Sequence, residues 1–342
     1  MTFDRRSILG AGLGLGAAAT VVHAADKRSI TAPATASEVA PRLVPNDAQD
    51  QTAVLQAAID AAASTDTPVI LPSGTFIVSD LRLRAGTRLV GSARTTILAY
   101  GGGETFVTAD NADGLVIAGI VLDCAYKTFD TTRADGAIAI SRSKDLRLVD
   151  LDIRNSVGNG LSLFACGGHI NDVTITGALD AGLKSFDSHG LDIKGNTISD
   201  CGNNGILVWR STPGEDGSVV SGNRISKIRN ASGGTGEYGN GINVFRAGSV
   251  LVSGNRISDC AYTAVRGNSA SNIQIIANSC ERLGEVALYA EFGFQGAIIA
   301  NNVIDTAATG ISVTNFNEGG RLAVIQGNLI RNLFRREQEA QD

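Results

Sequence analysis

Asn243, Arg266 and Tyr289 recur at intervals of 23 residues, each in third place of a short Gly/Ala–apolar–x–small segment. If these segments are strands of a stacked repeat, the third residue faces outward and the three side chains stand on consecutive rungs, ~4.8 Å apart. A carboxamide, a guanidinium and a phenol so stacked can neutralise an anion and move the proton beside it. Asn243 and Arg266 would neutralise, and Tyr289 would act as base or acid. Two residues further along each strand come Phe164, Phe186, Trp209, Phe245, Asn268 and Glu291, followed by a column holding Asp187, Arg210 and Arg246. Trp209, Arg210 and Arg246 thus put an aromatic surface beside basic groups. Arg246 is suited to hold a carboxylate by a bidentate contact, and Glu291 to orient Arg266 or Tyr289. The same residue types also occur on a plain solvated face, and the aromatic row is equally what stacking under turns would give. Lys184 and Asp187 are read as a salt bridge. Asp187 and Glu291 stand four rungs apart, roughly 19 Å, whereas paired glycosidase carboxylates need ~5 to 9.5 Å. That pair is excluded.

The elements that would position these groups are legible as a repeat. Asn196, Asn223, Asn255, Asn278, Asn302 and Asn328 follow one another at 27, 32, 23, 24 and 26 residues in an apolar–x–small–Asn–x–apolar frame. Val173 and Leu151 occupy the same slot further back. Short alternating runs bounded by Gly, Asn, Asp and Ser are strands, and a repeat of this length is a solenoid. The expected fold is all-β, a single-stranded parallel β-helix with rungs of about 23 residues. Its asparagines turn into a corner and bond one another, as stacked amide ladders do. Five residues on, the column Ser156, Ala178, Cys201, Ile228, Cys260, Leu283, Ala307, Leu333 is small or apolar and faces the core. Cys201 and Cys260 lie two rungs apart, roughly 10 Å, beyond disulfide reach. All five cysteines are read as buried thiols. With three histidines and no CxxC spacing, a zinc site is not indicated.

Residues 1–25 read as an export signal, with Arg5 and Arg6 ahead of Ile8 and Leu9 and a Gly/Ala-rich stretch too short to span a membrane. The paired arginines resemble a twin-arginine signal, which implies the twin-arginine export machinery as a partner and a periplasmic or secreted destination. Residues 26–45 form a linker, 46–98 a helical cap with the first strands, 99–333 the β-helix, and 334–342 a charged tail. A net charge of −5 and 5% aromatic residues argue against nucleic acid. Residues 46–62 contain the one convincing helix, with Asp50 as candidate N-cap and Leu55, Ile59 and Ala62 as its apolar stripe. It covers the open end of the first rung.

The stretch D-x-T-x-x-L-Q-x-A-I-D-A-A from Asp50, followed by P-V-I-L-P-S-G-T-F from Pro68, resembles the pectate-lyase-like, right-handed β-helix superfamily. With the double arginine, the whole chain resembles twin-arginine-translocated repeat proteins of uncharacterised function. The resemblance implies polysaccharide as partner, with lyase, hydrolase or epimerase activity or none. Of the polygalacturonase signatures only Ser188-His189-Gly190 is reminiscent, without the accompanying Asp-Asp pair or R-x-K. No cofactor is evident. Calcium remains open, since a calcium-dependent pectate lyase would need carboxylates clustered on neighbouring rungs and no clear set stands out. In this light the column of Asn243, Arg266 and Tyr289 suits a uronate-polysaccharide lyase or epimerase. The alternative is a non-catalytic carbohydrate-binding or envelope scaffold. Insertions occur at 123–135, 210–218, 230–240 and 315–321; the second and third flank Trp209 and precede Asn243, where they would wall a groove, and the Gly-rich stretch 231–237 reads equally as a floppy loop with no role. The chain's last rung, near residue 333, lacks an evident cap.

Overall fold

The computed structural model describes residues 39–314 and 318–335. The segments read as signal and charged tail, apart from residues 334–335, lie outside the described residues, as does most of the linker. Short β-branched and Leu-rich runs broken by Gly, Asn and Asp wind into a parallel β-solenoid of about 11 turns with about 24 residues each. Every strand pairing is parallel and joins one coil to the next, as in Ile193↔Val220 and Ile225↔Ile257. One ladder contains eleven strands. The other two merge into a sheet of nineteen, because strands such as Ser279–Glu291 and Val303–Thr314 run on through a corner.

The helix spans Thr52–Thr65 and buries Leu55, Ala58, Ile59 and Ala62. It starts later than the sequence suggested: Gln51 holds the N-cap position without a side-chain bond. Asp50 still accepts the Thr52 N–H at 2.8 Å, an Asx turn leading into the helix. The helix closes with Asp66 in the left-handed region, its N–H on the Ala62 carbonyl.

The asparagine column forms the expected ladder. Asn223 donates from Nδ2 to Asn255 Oδ1 at 2.9 Å and to the Ile193 carbonyl at 3.0 Å, while its Oδ1 receives the N–H and Nδ2 of Asn196. The pattern repeats through Asn328. Each buried amide is thereby satisfied within the stack, which is the condition for burying it. The five cysteines are free and buried. Desolvation pushes the thiols of Cys124, Cys201 and Cys280 up to about 12. The last coil differs from the rest: Leu322, Val324, Ile325 and Leu329 are at least half exposed. Among the described residues no helix is long and apolar enough to cross a membrane.

Candidate functional site

One outer face of the solenoid carries the candidate residues, and its register is continuous. The first column runs Arg82, Thr108, Ala139, Ser162, Lys184, Leu207, Asn243, Arg266, Tyr289, Ser312. The second runs Asp110, Ser141, Phe164, Phe186, Trp209, Phe245, Asn268, Glu291, Thr314. Parallel strand pairing fixes both columns, so neighbours in a column are one strand spacing apart.

Towards the C-terminal end the structure brings Asn243, Arg266, Tyr289 and Glu291 together. Arg266 donates from Nε to Glu291 Oε1 at 2.6 Å, with the two side chains 12% and 2% exposed. Asn268 Nδ2 donates to the same oxygen at 3.1 Å. The guanidinium lies over the Tyr289 ring, 5.2 Å from its centre, a cation–π arrangement. The outward column is nonetheless covered, because the insertion between Ile228 and Asn240 folds down on it. Asn243 is 5% exposed and donates from Nδ2 to the Glu237 carbonyl at 3.2 Å. Gly236, at φ +150°, rests so close that a Cβ there would lie 1.6 Å from Arg266 Nη1. Only glycine permits this approach. Arg266 Nη1 and Asn243 Oδ1 are both buried without a hydrogen-bond partner.

The remaining candidates go elsewhere. Trp209 packs edge-on against Phe245, ring centres 5.9 Å apart, its indole N–H buried without an acceptor. Arg246 lies over the Phe245 ring at 4.6 Å and donates to the Ser211 carbonyl at 2.8 Å. Arg210 turns off the face, because the strand register shifts between Trp209 and Gly214. Its Nη1 reaches the Ser188 carbonyl and lies 3.4 Å from His189 Nε2. Asp216 is buried nearby, and desolvation raises its carboxyl pKa against the opposing pull of Ser218, Arg210 and His189. The expected Lys184–Asp187 pair does not form. Lys184 reaches Asp135 at 2.7 Å in the 123–135 insertion, while Asp187 accepts the N–H and hydroxyl of Ser211. The cause is local: Asp187 lies beyond the strand at positive φ and points to the next coil.

The sequence reading missed the other end of the face. There a cleft of about 900 Å³ opens over Thr108, Ala139 and Ser162, between residues 80–84 with 104–105 on one side and residues 131–135 on the other. Extending the outward column back past Lys184 would have revealed its floor of small residues. Among the described residues no three His, Cys, Asp or Glu side chains are grouped to hold a metal ion.

Two family profiles match the sequence. One is rhamnogalacturonase A/epimerase, pectate lyase-like, over residues 43–235, and the other is the right handed beta helix region over residues 213–335. Among solved structures, the A-module of the Azotobacter vinelandii mannuronan C-5 epimerase AlgE4 superposes with a TM-score of 0.62 at 17% identity, covering 83% of this chain and 92% of that one. A mutant of the periplasmic alginate epimerase AlgG gives 0.55 at 13%, covering 78% and 77%. Polygalacturonase from Erwinia carotovora gives 0.50 at 13%, covering 90% and 100%. At these identities the likeness concerns the fold. No curated protein matches the sequence. Because the first profile spans more than half of the 342 residues, the chain belongs to the rhamnogalacturonase A/epimerase, pectate-lyase-like family.

Proposed function

We propose that the protein acts on polysaccharide, as a lyase or epimerase of uronate chains, with Asn243, Arg266 and Tyr289 at the reacting sugar. The observation that carries this reading is the buried, unpartnered Nη1 of Arg266, beside Asn243 and over Tyr289. A buried donor without an acceptor calls for one, and a sugar carboxylate supplies it. Glu291 grips Nε and leaves Nη1 without a partner, available to the substrate. Bound there, the carboxylate accepts from Arg266 Nη1 and Asn243 Nδ2, and its charge withdrawn makes the neighbouring ring C–H acidic. The Tyr289 oxygen exchanges that proton. In a lyase the electron pair forms a double bond as the glycosidic C–O bond breaks, and the leaving oxygen takes a proton from Tyr289 or water. In an epimerase Tyr289 keeps the abstracted proton and water supplies a new one on the opposite face. Entry requires the loop at Gly236 and Glu237 to lift from Arg266 and Asn243. Family membership supports the substrate class, and the neighbouring folds named above are named for polysaccharide substrates.

A second reading, carbohydrate binding without turnover, is favoured by a separate observation. Glu291 already neutralises Arg266, and the loop buries the group. The test is incubation of the purified protein with pectate, alginate, hyaluronan and chondroitin, with and without calcium. Unsaturated-uronate absorbance would report a lyase and NMR of the treated polymer an epimerase. Tyr289→Phe is expected to abolish turnover and spare binding. Turnover unaffected by that change removes Tyr289 from the mechanism, and binding without turnover on every polymer leaves the second reading. Arg5 and Arg6 support export to the periplasm or beyond through the twin-arginine machinery. Replacing both by Lys should retain the protein in the cytoplasm, and unchanged fractionation would reject that route.

A further inference from the structure

The cleft at the N-terminal end of the face has its own chemistry. Its floor is deep because Thr108, Ala139 and Ser162 are small where Lys184, Leu207 and Asn243 fill the same column further on. Each carboxylate of the lining is already engaged. Asp80 accepts the N–H and hydroxyl of Thr105 at 2.7 and 3.0 Å, and Asp135 accepts Lys184 at 2.7 Å. Glu104 pairs with Arg133 at 2.5 Å, and Asp110 with Ser141 and Arg142. Arg84 is held by Asp60 at 2.9 Å. Arg82 stands on the floor column, exposed, with no side-chain partner among the described residues. At the far end Phe164 is 40% exposed and stacked on Phe186 at 6.0 Å and 23°.

One uncommitted guanidinium, a hydroxyl-lined floor and, three coils on, an exposed aromatic face match successive sugars of a chain that carries carboxylates. Arg82 takes the carboxylate of one sugar, the engaged carboxylates and hydroxyls meet sugar hydroxyls, and a sugar further along the chain stacks on Phe164. The row Phe164, Phe186, Trp209, Phe245 then leads along the face towards Asn243. Ser162 and Asn243 are three coils apart, roughly 14 Å, so a chain lying along the solenoid axis reaches both. We infer that the cleft is a distal subsite for an acidic oligosaccharide, holding the polymer by Arg82 and Phe164 while another sugar lies at Arg266. The inference rests on the polysaccharide reading above.

The experiment is calorimetric titration of the full chain with a ladder of oligogalacturonates and oligomannuronates, alongside Arg82→Ala and Phe164→Ala. Both residues are exposed, and thermal melts identical to the unmodified chain will show that the variants fold. The unmodified protein should bind long oligomers more tightly than short ones. Each variant should lose roughly tenfold or more on the long oligomers, Arg82→Ala through its charge-assisted bond and Phe164→Ala through the stacked ring. Any turnover should keep its kcat while KM rises. Tight binding of long oligomers that ignores both substitutions overturns the subsite and leaves the polysaccharide reading standing. Failure of the unmodified chain to bind either ladder overturns both. A loss in Arg82→Ala that is equal for neutral cello-oligosaccharides overturns the acidic specificity.

Discussion

The two ends of the outer face share one backbone and one register, yet one is open and the other closed. At the N-terminal end Thr108, Ala139 and Ser162 leave the floor empty, and the 123–135 insertion stands beside it as a wall. At the C-terminal end Asn243, Arg266 and Tyr289 fill the same column, and a glycine-rich insertion lies on top. The electrostatics diverge in parallel. The Arg133–Glu104 pair of the open end is more than half exposed, whereas Arg266–Glu291 is nearly dry. In a solenoid, then, the coil sets where side chains stand. Their volume and the placement of an insertion decide whether that address is a cleft or a core.

The largest expected effect tests that electrostatic contrast. Glu291→Ala leaves the Arg266 charge buried without its partner, a loss of about 3 to 5 kcal/mol. Glu104→Ala at the open end should cost no more than about 1 kcal/mol, because water replaces the partner. Denaturant melts of both variants measure the difference. Equal losses would mean that the closed end is wetter than its 2% exposure of Glu291 implies.

A smaller effect tests the covering loop. Gly236→Ala drives a methyl group into Arg266 Nη1, which Glu291 holds in place, and the loop must lift at a cost of roughly 1 to 3 kcal/mol. Gly102, at φ +102° beside the open cleft, has no atom within 4 Å of the point where a methyl group would stand. Its change to Ala carries backbone strain without collision. If Gly236→Ala also raises proteolytic nicking within 230–240 while Gly102→Ala does not, the loop has come off the site. Indistinguishable variants would place the loop away from Arg266 in solution.

How much of this contrast the residues disclose depends on range. The coil is legible because its determinants repeat: the Asn223 and Asn255 amides recur in phase, and the alternation of Ile225 and Ile257 marks each strand. The columns through Asn243, Arg266 and Tyr289 follow from that phase alone. Exposure does not. Nothing local to Asn243 says that residues 236–237 will fold back over it, and nothing local to Lys184 says that its partner is Asp135, an insertion two coils earlier. Insertions break the repeat, so their paths are set by tertiary contacts that no periodicity encodes. The open cleft was hidden differently. Its floor of Thr108, Ala139 and Ser162 offers no reactive group to attract notice, and its meaning lies in the volume that those residues leave.

Beneath both ends the core is alike, and the smallest effect tests that sameness. Cys124 lies in the N-terminal half and Cys280 in the C-terminal half, and desolvation holds both thiols up at about 12 against an ordinary 9.0. The folded chain therefore favours the protonated thiol. Unfolding above pH 9 releases that proton, so the contribution is complete below about 9 and drains away as pH climbs towards 12. The raised phenol of Tyr100, buried under the first coils, pulls in the same direction. Cys124→Ala and Cys280→Ala should each flatten the fall of stability over this interval, and by similar amounts. Chemical melts from pH 8 to 11 would measure it. A flattening confined to Cys280→Ala would show that water reaches the core under the open cleft, and the contrast between the two ends would then extend through the wall of the coil rather than stop at its outer face.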